Sequence, residues 1–598
     1  MILKKFTDIT SNLDALKLKK IEFDIYKDLD EKGFVLPKVI PFKGINTDML
    51  YIKDDSILFL KYMDTTEELF SFLDEEIIEI MKEEHDALCE EMNKSFPEIN
   101  FNYIFVMPYI NQISEYYEMK DFIENNIVCG ENARNLFKDK NIVFKYLKEK
   151  NDEIKLTMFL LKACSEYFTT TKSVNLNEKI RKISFHDKKI SYKLVMKDRG
   201  QIVDIASVNY GNHLVTGGSG TGKSALLVGR VVKLSKIYPH HKFLILTFTK
   251  QQANKIKEKI DLLNVDSKNI EIHSFSSFIF KVAKANKLVI DYNFLKKDYD
   301  KSFLNIMKQI DNAVKNKKMF KGIFIDEGEN FSQNEIKLIH EFLYNTKNIF
   351  NISICKPYNI NNDLKAINEE DNILDYEDEL ILEKNYRQSS EVTNFINNYC
   401  ENCNSYLYEM RKEIGPNYFM KTKPIWSANR EVNFIDVEDL DEQINSVIWE
   451  AQYLINDLGY NLEDIAIVYP YNKKRLKSGK VIYFQYMLRK SLESAGIDYI
   501  YADEDLTNIT PKQGLTISNI YSIKSLSYKA VIICELEMMY NQKVIDEKQD
   551  YQVNDFIGDL NKVYTAMTRA EEYLSIITSY SEEHSDIIRM IKSSKEGL

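Results

Sequence analysis

Along much of the chain, short apolar runs alternate with segments whose apolar residues recur at helical spacing. His213-Leu214-Val215-Thr216 reads as a strand and, after a glycine-rich stretch, ALLVGRVVKL reads as a helix. The same alternation then recurs. FLILTF precedes QQANKIKEKI, GIFIDE precedes NEIKLIHEFL, and AVIICEL precedes a C-terminal helix around VYTAMTRAEEYL. Strands and helices in that order predict an α/β fold with parallel sheets. Two such stretches, residues 191–375 and 376–598, predict two lobes.

Residues 1–190 precede this pattern and read as a separate α/β unit. IEFDIYKDLDEKG, which contains Glu22, has helical spacing. Asp48–Ile52 and Ile57–Lys61 read as the arms of a hairpin around Lys53-Asp54-Asp55. FSFLDEEIIEIMKEEHDALCEEM reads as an amphipathic helix whose acidic face is solvated.

Composition narrows the class. A chain of 598 residues needs several domains rather than one core. Hydrophobic residues at 44% and charged residues at 29% describe a soluble globular protein. A formal charge of −11 argues against indiscriminate wrapping of nucleic acid, while a local basic groove stays compatible with it. The seven cysteines are scattered. Cys400 and Cys403 form a CxxC with no second pair, so they read, like the others, as reduced residues of a cytoplasmic protein rather than a zinc site. The eight histidines lack ligand spacing, and no apolar stretch is long enough for a membrane span.

The glycine-rich stretch carries the chemistry. Gly217-Gly218-Ser219-Gly220-Thr221-Gly222-Lys223-Ser224 fits a phosphate-binding loop between strand and helix. Glycines let successive N–H groups turn toward a phosphate, and the helix N-terminus adds positive potential. Lys223 is placed to reach the β- and γ-phosphates and Ser224 to hold Mg²⁺, so the implied ligand is ATP with Mg²⁺. About a hundred residues on, Ile323-Phe324-Ile325 ends in Asp326-Glu327. There, a second Mg²⁺ ligand, Asp326, would stand beside a glutamate that polarises the attacking water.

With these two motifs in place, residues 198–580 resemble superfamily 1 helicases of the UvrD/Rep type. Gln201 stands where that family's adenine-reading glutamine does. Phe248, Thr249 and Lys250, in Thr247-Phe248-Thr249-Lys250, and His273, in Ile272-His273-Ser274-Phe275, resemble its strand-contacting motifs. Asn385-Tyr386-Arg387 resembles the NYR element, in which Tyr386 stacks on the base and Arg387 reaches the γ-phosphate. Tyr564-Thr565-Ala566-Met567-Thr568-Arg569-Ala570 resembles the last motif, with Arg569 as the arginine finger. The resemblance implies two RecA-like parallel-sheet lobes, ATP hydrolysis and binding of single-stranded DNA or RNA. It favours DNA and 3′-to-5′ movement.

The sequence departs from the family in its coupling motifs. GDxxQ corresponds to Cys355-Lys356-Pro357-Tyr358-Asn359, so Asn359 replaces the γ-phosphate-sensing glutamine, and Leu364 replaces a stacking aromatic. HSAKGLE corresponds to Tyr521–Ser527, with Ser525 for the glycine and Ser527 for the glutamate that faces the nucleotide. DEAQD reads Asp326-Glu327-Gly328-Glu329-Asn330. The strand-like run Asp464–Tyr469 lies between Arg387 and Thr516, which leaves the family's large accessory insertion reduced or missing.

The N-terminal layout resembles nuclease-related (NERD) domains of the restriction-endonuclease fold. Asp48 and Lys61 fit that family's D…ExK pattern, but Phe59 stands at the glutamate position, which makes metal-dependent cleavage an unfavoured expectation. The sequence therefore predicts an ATP-dependent helicase or translocase acting in DNA repair or defence, with a protein partner in a larger complex and no membrane association. Its rivals are an ATP-binding regulatory subunit without unwinding activity and a nuclease loaded by its ATPase.

Overall fold

The computed structural model describes residues 34–42, 44–114, 117–171, 182–186, 191–263, 268–288, 290, 297–314, 318–355, 374–410, 417–470, 474–475, 481–501, 514–520, 523, 526–537, 539, 553–579 and 586–596. By compactness the chain divides into two units. One comprises Met1–Asn212, Ser224–Phe324 and His340–Asn351; the other comprises His213–Lys223, Ile325–Ile339 and Ile352–Leu598. Glu22 lies outside the described residues, as do Asn359, Leu364 and Ser525.

The first unit begins with a five-stranded sheet in the order β1-β2-β3-β4-β5. Its strands are β1 Phe34–Pro37, β2 Met49–Lys53, β3 Ser56–Tyr62, β4 Phe101–Met107 and β5 Ile127–Cys129. The first three form an antiparallel meander, and β3, β4 and β5 run parallel. The β2–β3 hairpin turns on Asp54 and Asp55, both left-handed at φ 48° and 65°. Positive φ at both central residues is what a type I′ turn requires, and aspartate tolerates it.

A parallel β3–β4 pair needs a crossover, and helix α1, Glu67–Ser95, supplies it. Thr66 caps its N-terminus by accepting from the Leu69 N–H. Phe70, Ile77, Ile78, Met81, Leu88 and Met92 form its buried stripe, while Glu75, Glu76, Glu79, Glu83 and Glu90 are exposed. The acidic face read from the sequence is a solvated one.

A six-stranded sheet holds β6 Gly211–Gly217, β7 Phe243–Thr247, β8 Ile270–Ser274, β9 Gly322–Ile325, β10 Ile349–Cys355 and β11 Asp378–Leu382. Their order is β8-β7-β9-β10-β6-β11. The β7–β8 and β6–β11 pairs are parallel. Helix α2, Lys223–Ile237, follows the loop after β6, and α3, Lys250–Leu262, follows β7.

The second unit contains another six-stranded sheet, in the order β12-β17-β16-β13-β15-β14. Its strands are β12 Asn433–Val437, β13 Ile465–Tyr469, β14 Tyr499–Tyr501, β15 Leu515–Asn519, β16 Tyr528–Cys534 and β17 Ala570–Ser579. Every pairing in it is parallel. In β13, Ala466 and Val468 enter one core while Ile465, Ile467 and Tyr469 enter another. Burial on both faces explains why such strands are apolar at consecutive positions. Helices α4, Ser390–Met410, and α5, Val553–Met567, contribute to the first of these cores.

One sequence expectation is corrected here. The helix expected through VYTAMTRAEEYL stops at Met567, and Ala570–Ser579 is the strand β17. β17 lies between β12 and β16 and is mostly buried, so two ladders of hydrogen bonds and a two-sided core override the local helical spacing. Together the sheets give the α/β architecture of RecA-like lobes preceded by an N-terminal α/β domain.

Candidate functional site

The phosphate loop belongs to the second unit up to Lys223. β6 delivers the chain to Gly217, and the loop then bends through Gly220 and Gly222 at φ 83° and 85°. Packing at Gly220 is tight. A Cβ there would lie 2.4 Å from Asn385 Oδ1 and 2.6 Å from Gln388 Oε1. Gly217 is equally confined, with Thr221 Oγ1 at 2.5 Å from the same virtual position. Glycine is therefore required by close approach as well as by conformation.

Lys223 folds back on the loop, donating to the Gly217 and Gly218 carbonyls at 3.0 and 2.7 Å. Thr221 Oγ1 donates to the Gly218 carbonyl at 3.0 Å. Ser219 collects the most partners. Arg387 NH1 and Arg569 NH2 both donate to its Oγ, at 3.1 and 3.4 Å. Its N–H donates to Tyr564 Oη at 3.1 Å, and its carbonyl accepts from Asn385 Nδ2 at 3.3 Å.

The two arginines arrive on different elements and are fixed differently. Asn385 Oδ1 accepts from the N–H groups of Arg387 and Gln388 at 3.0 and 3.1 Å, closing a turn ahead of α4. The Tyr386 N–H donates to the Gly220 carbonyl, and Gln388 Nε2 donates to the Thr568 carbonyl at 2.8 Å. Arg569 lies between α5 and β17. Its Nε donates to the Thr565 carbonyl and NH1 to the Leu526 carbonyl, at 3.0 and 3.3 Å. Burial and the neighbouring Arg387 lower the Arg569 pKa to about 10, which still leaves it cationic at neutral pH.

Acidic residues stand near these cations. Asp326 is buried directly after β9, and Glu327 follows in the left-handed region at φ 53°. A non-glycine residue held there is strained, and such strain concentrates at functional sites. Asn330 Nδ2 donates to Glu327 Oε2 at 3.3 Å, and the Cys355 N–H donates to Glu329 Oε2 at 3.0 Å. Burial and the adjacent Glu327 raise the Glu329 carboxyl to about 8, so it is largely protonated at neutral pH. Ser527 Oγ donates to Glu571 Oε1 at 2.7 Å.

The remaining expected residues belong to the first unit. Gln201 is buried on the helix Arg199–Ala206, capped by Asp198. Ser224 lies in the first turn of α2. Phe248 and Lys250 are exposed just beyond β7, where Thr249 and Gln252 form a capping box for α3. His273 pairs in register with Leu246 across β7 and β8, and burial and Lys281 lower its pKa. Parallel pairing brings the carboxyl ends of these two strands together, so the exposed Phe248–Lys250 segment and His273 share one end of the sheet.

Sequence reasoning passed over Asn385 as a turn-former, Gln388, Glu329 and Tyr564. Asn385 carried a usable signal, since a short amide side chain before a helix often closes a turn. Tyr564 reaches across 345 positions of sequence to Ser219, a distance that no local pattern records.

In the N-terminal sheet, Phe59 is wholly buried, edge-on to Phe101 at 6.0 Å and Phe159 at 6.2 Å. Asp48 pairs with the buried Lys38 at 2.6 Å and accepts from the Tyr62 N–H at 2.7 Å, while Lys61 pairs with Glu84. Among the described residues no cluster of three or more histidine, cysteine or carboxylate side chains is placed to hold a metal ion, and no helix is long and apolar enough to cross a membrane.

Among solved structures, the chain is similar to the C-terminal domain of a possible DNA helicase from Lactobacillus plantarum WCFS1, at 17% identity and a TM-score of 0.22, over 35% of this chain and 96% of that one. No curated protein matches it. The model of the UvrD/REP helicase N-terminal domain matches residues 200–550, more than half of the chain. The chain belongs to the UvrD/Rep helicase family.

Proposed function

We propose that this chain is an ATP-dependent helicase or translocase acting on single-stranded DNA, in DNA repair or in defence against foreign DNA. The observation that carries the reading is the meeting of Arg387 and Arg569, from separate elements, on Ser219 of the phosphate loop. Two guanidiniums aimed at a glycine-built loop suit a triphosphate, because the charge of arginine is permanent and its fork matches phosphate oxygens. Lys223 exchanges its bonds to the Gly217 and Gly218 carbonyls for phosphate oxygens. Glu327, set by its left-handed backbone and by Asn330, orients the attacking water. Ser224 and Asp326 are hard oxygen donors of the kind Mg²⁺ takes; the ion, when bound, supplies positive charge against the phosphates.

In this reading Gln201 contacts the adenine, Tyr386 stacks on it, and Asn359 contacts the γ-phosphate. Phe248, Thr249, Lys250 and His273 hold the nucleic-acid strand, with the exposed Phe248 ring offering a stacking surface. Residues 1–190 form a nuclease-related domain, 191–375 and 376–598 the two lobes, and the chain works in the cytoplasm with a protein partner. ATP hydrolysis measured with and without single-stranded DNA tests the whole. Stimulation that disappears in Lys223→Ala supports it, and an unmutated chain that never responds to the strand sinks it.

One observation favours a second reading, an ATP-binding regulatory subunit. Ser527 is occupied with Glu571, where the family uses a glutamate toward the nucleotide. ATP binding without strand-stimulated hydrolysis would select this alternative. The nuclease alternative loses support from the lysines already paired with Asp48 and Glu84. Metal-dependent cleavage abolished by Asp48→Ala would restore it.

A further inference from the structure

Tyr564 was absent from the expected site, yet it makes the one side-chain contact described to a backbone N–H of the phosphate loop within the second unit. Its ring is buried, tilted against Phe419 at 5.7 Å, and its oxygen lies 3.1 Å from the Ser219 nitrogen. It also lies 3.5 Å from where a Cβ of Gly218 would stand, so the loop fits around the phenol. The hydroxyl of that same residue, Ser219, receives both arginines. The peptide that Tyr564 holds is therefore the peptide whose side chain gathers the cations. The Thr568 N–H in turn donates to the Tyr564 carbonyl, so the tyrosine and Arg569 belong to one continuous turn at the end of α5.

We propose that Tyr564 is a positioning residue for triphosphate recognition, acting through the Ser219 peptide to set where Arg387 and Arg569 meet the γ-phosphate. This rests on the nucleotide reading above. The phenol does not touch the reacting atoms; it fixes the orientation of one peptide plane, and with it the hydroxyl on which both guanidiniums converge. A diphosphate does not extend to the arginines, so loss of the phenol oxygen acts on ATP and spares ADP.

Tyr564→Phe keeps the ring against Phe419 and removes only the oxygen. Binding of ADP and of a non-hydrolysable ATP analogue is measured by calorimetry on the full chain. The expected result is an affinity for the analogue lowered about fivefold, the scale of one neutral hydrogen bond, with ADP unchanged. In an Arg387→Ala, Arg569→Ala background the same substitution should have no further effect on the analogue-to-ADP ratio, because the tyrosine acts through the two arginines. An equal loss for both nucleotides, an unchanged ratio, or a full effect persisting when both arginines are replaced overturns the proposal alone. A parent chain that binds neither nucleotide overturns the nucleotide reading and this one with it. Hydrogen exchange needs no substitution: slow exchange of the Ser219 amide in the nucleotide-free parent is expected, and fast exchange overturns the proposal.

Discussion

The phosphate loop and the β2–β3 hairpin each bring lysines and carboxylates near the end of a strand, and they treat them in opposite ways. Around the loop, Lys223, Arg387 and Arg569 converge on backbone carbonyls and one hydroxyl, neutral acceptors that an anion can replace. Beside the hairpin two lysines are paired with carboxylates, Lys38 with Asp48 and Lys61 with Glu84, over a core filled by Phe59. Cations that bond to carbonyls and a hydroxyl can exchange those acceptors for an anion, whereas lysines paired with carboxylates at the N-terminal sheet are part of the fold. Substitutions should therefore damage rate in one region and stability in the other.

The largest effect is expected from Arg569→Ala. ATP hydrolysis should fall by on the order of 10³ or more, the scale of an arginine finger. The melting temperature of the variant should stay within a few degrees of the parent, and a collapse of the fold instead would erase the contrast. Next comes Phe59→Ala, which should cost about 3–5 kcal/mol in denaturant titration, from lost burial and the cavity left behind. Hydrolysis per folded molecule should be unchanged. Asp48→Asn removes the carboxylate charge paired with the buried Lys38 and should cost about 3 kcal/mol by the same titration, again with hydrolysis intact.

A smaller effect separates two glycines. Gly220→Ala forces a Cβ against Asn385 and Gln388 at positive φ and should destabilise by roughly 1–3 kcal/mol while weakening ATP binding. Gly459→Ala, at φ 70° with nothing within 4 Å, should cost only about 1 kcal/mol by thermal melting. The subtlest test is pH. Because Glu329 is raised from 4.5 to about 8 in the folded chain, its contribution is fully present below about 4.5 and is lost as pH rises through about 8. Glu329→Gln keeps an acceptor for the Cys355 N–H without a titrating proton. Melting curves should show it overtaking the parent above about pH 8.

Much of this was legible in the sequence, and what was missed has a common cause. The loop, the buried strand before Asp326 and the hairpin around Lys53-Asp54-Asp55 are local patterns, written in glycine spacing, apolar runs and a polar break between them. The strand β17 was read as helix because Thr568–Leu574 continues the spacing of α5, while its true partners β12 and β16 are distant in the chain. The arginines were legible as members of motifs. Their meeting on a serine, and the role of Asn385 and Tyr564 in arranging it, depend on contacts across 166 to 350 positions. Local composition carries turns and termini; it does not carry which side chain will end beside which.

Arg569 stands one residue before β17, which is hydrogen-bonded on both sides and packed on both faces. A side chain so mounted has no loop to absorb a change in length. Adding or deleting one residue between Met567 and Ala570 would turn every β17 side chain to the wrong face before it moved the guanidinium by a useful amount. The Arg569 guanidinium is thus shielded from gradual adjustment: its reach can be altered by substitutions on surrounding elements, but hardly by drift in the short connection that carries it.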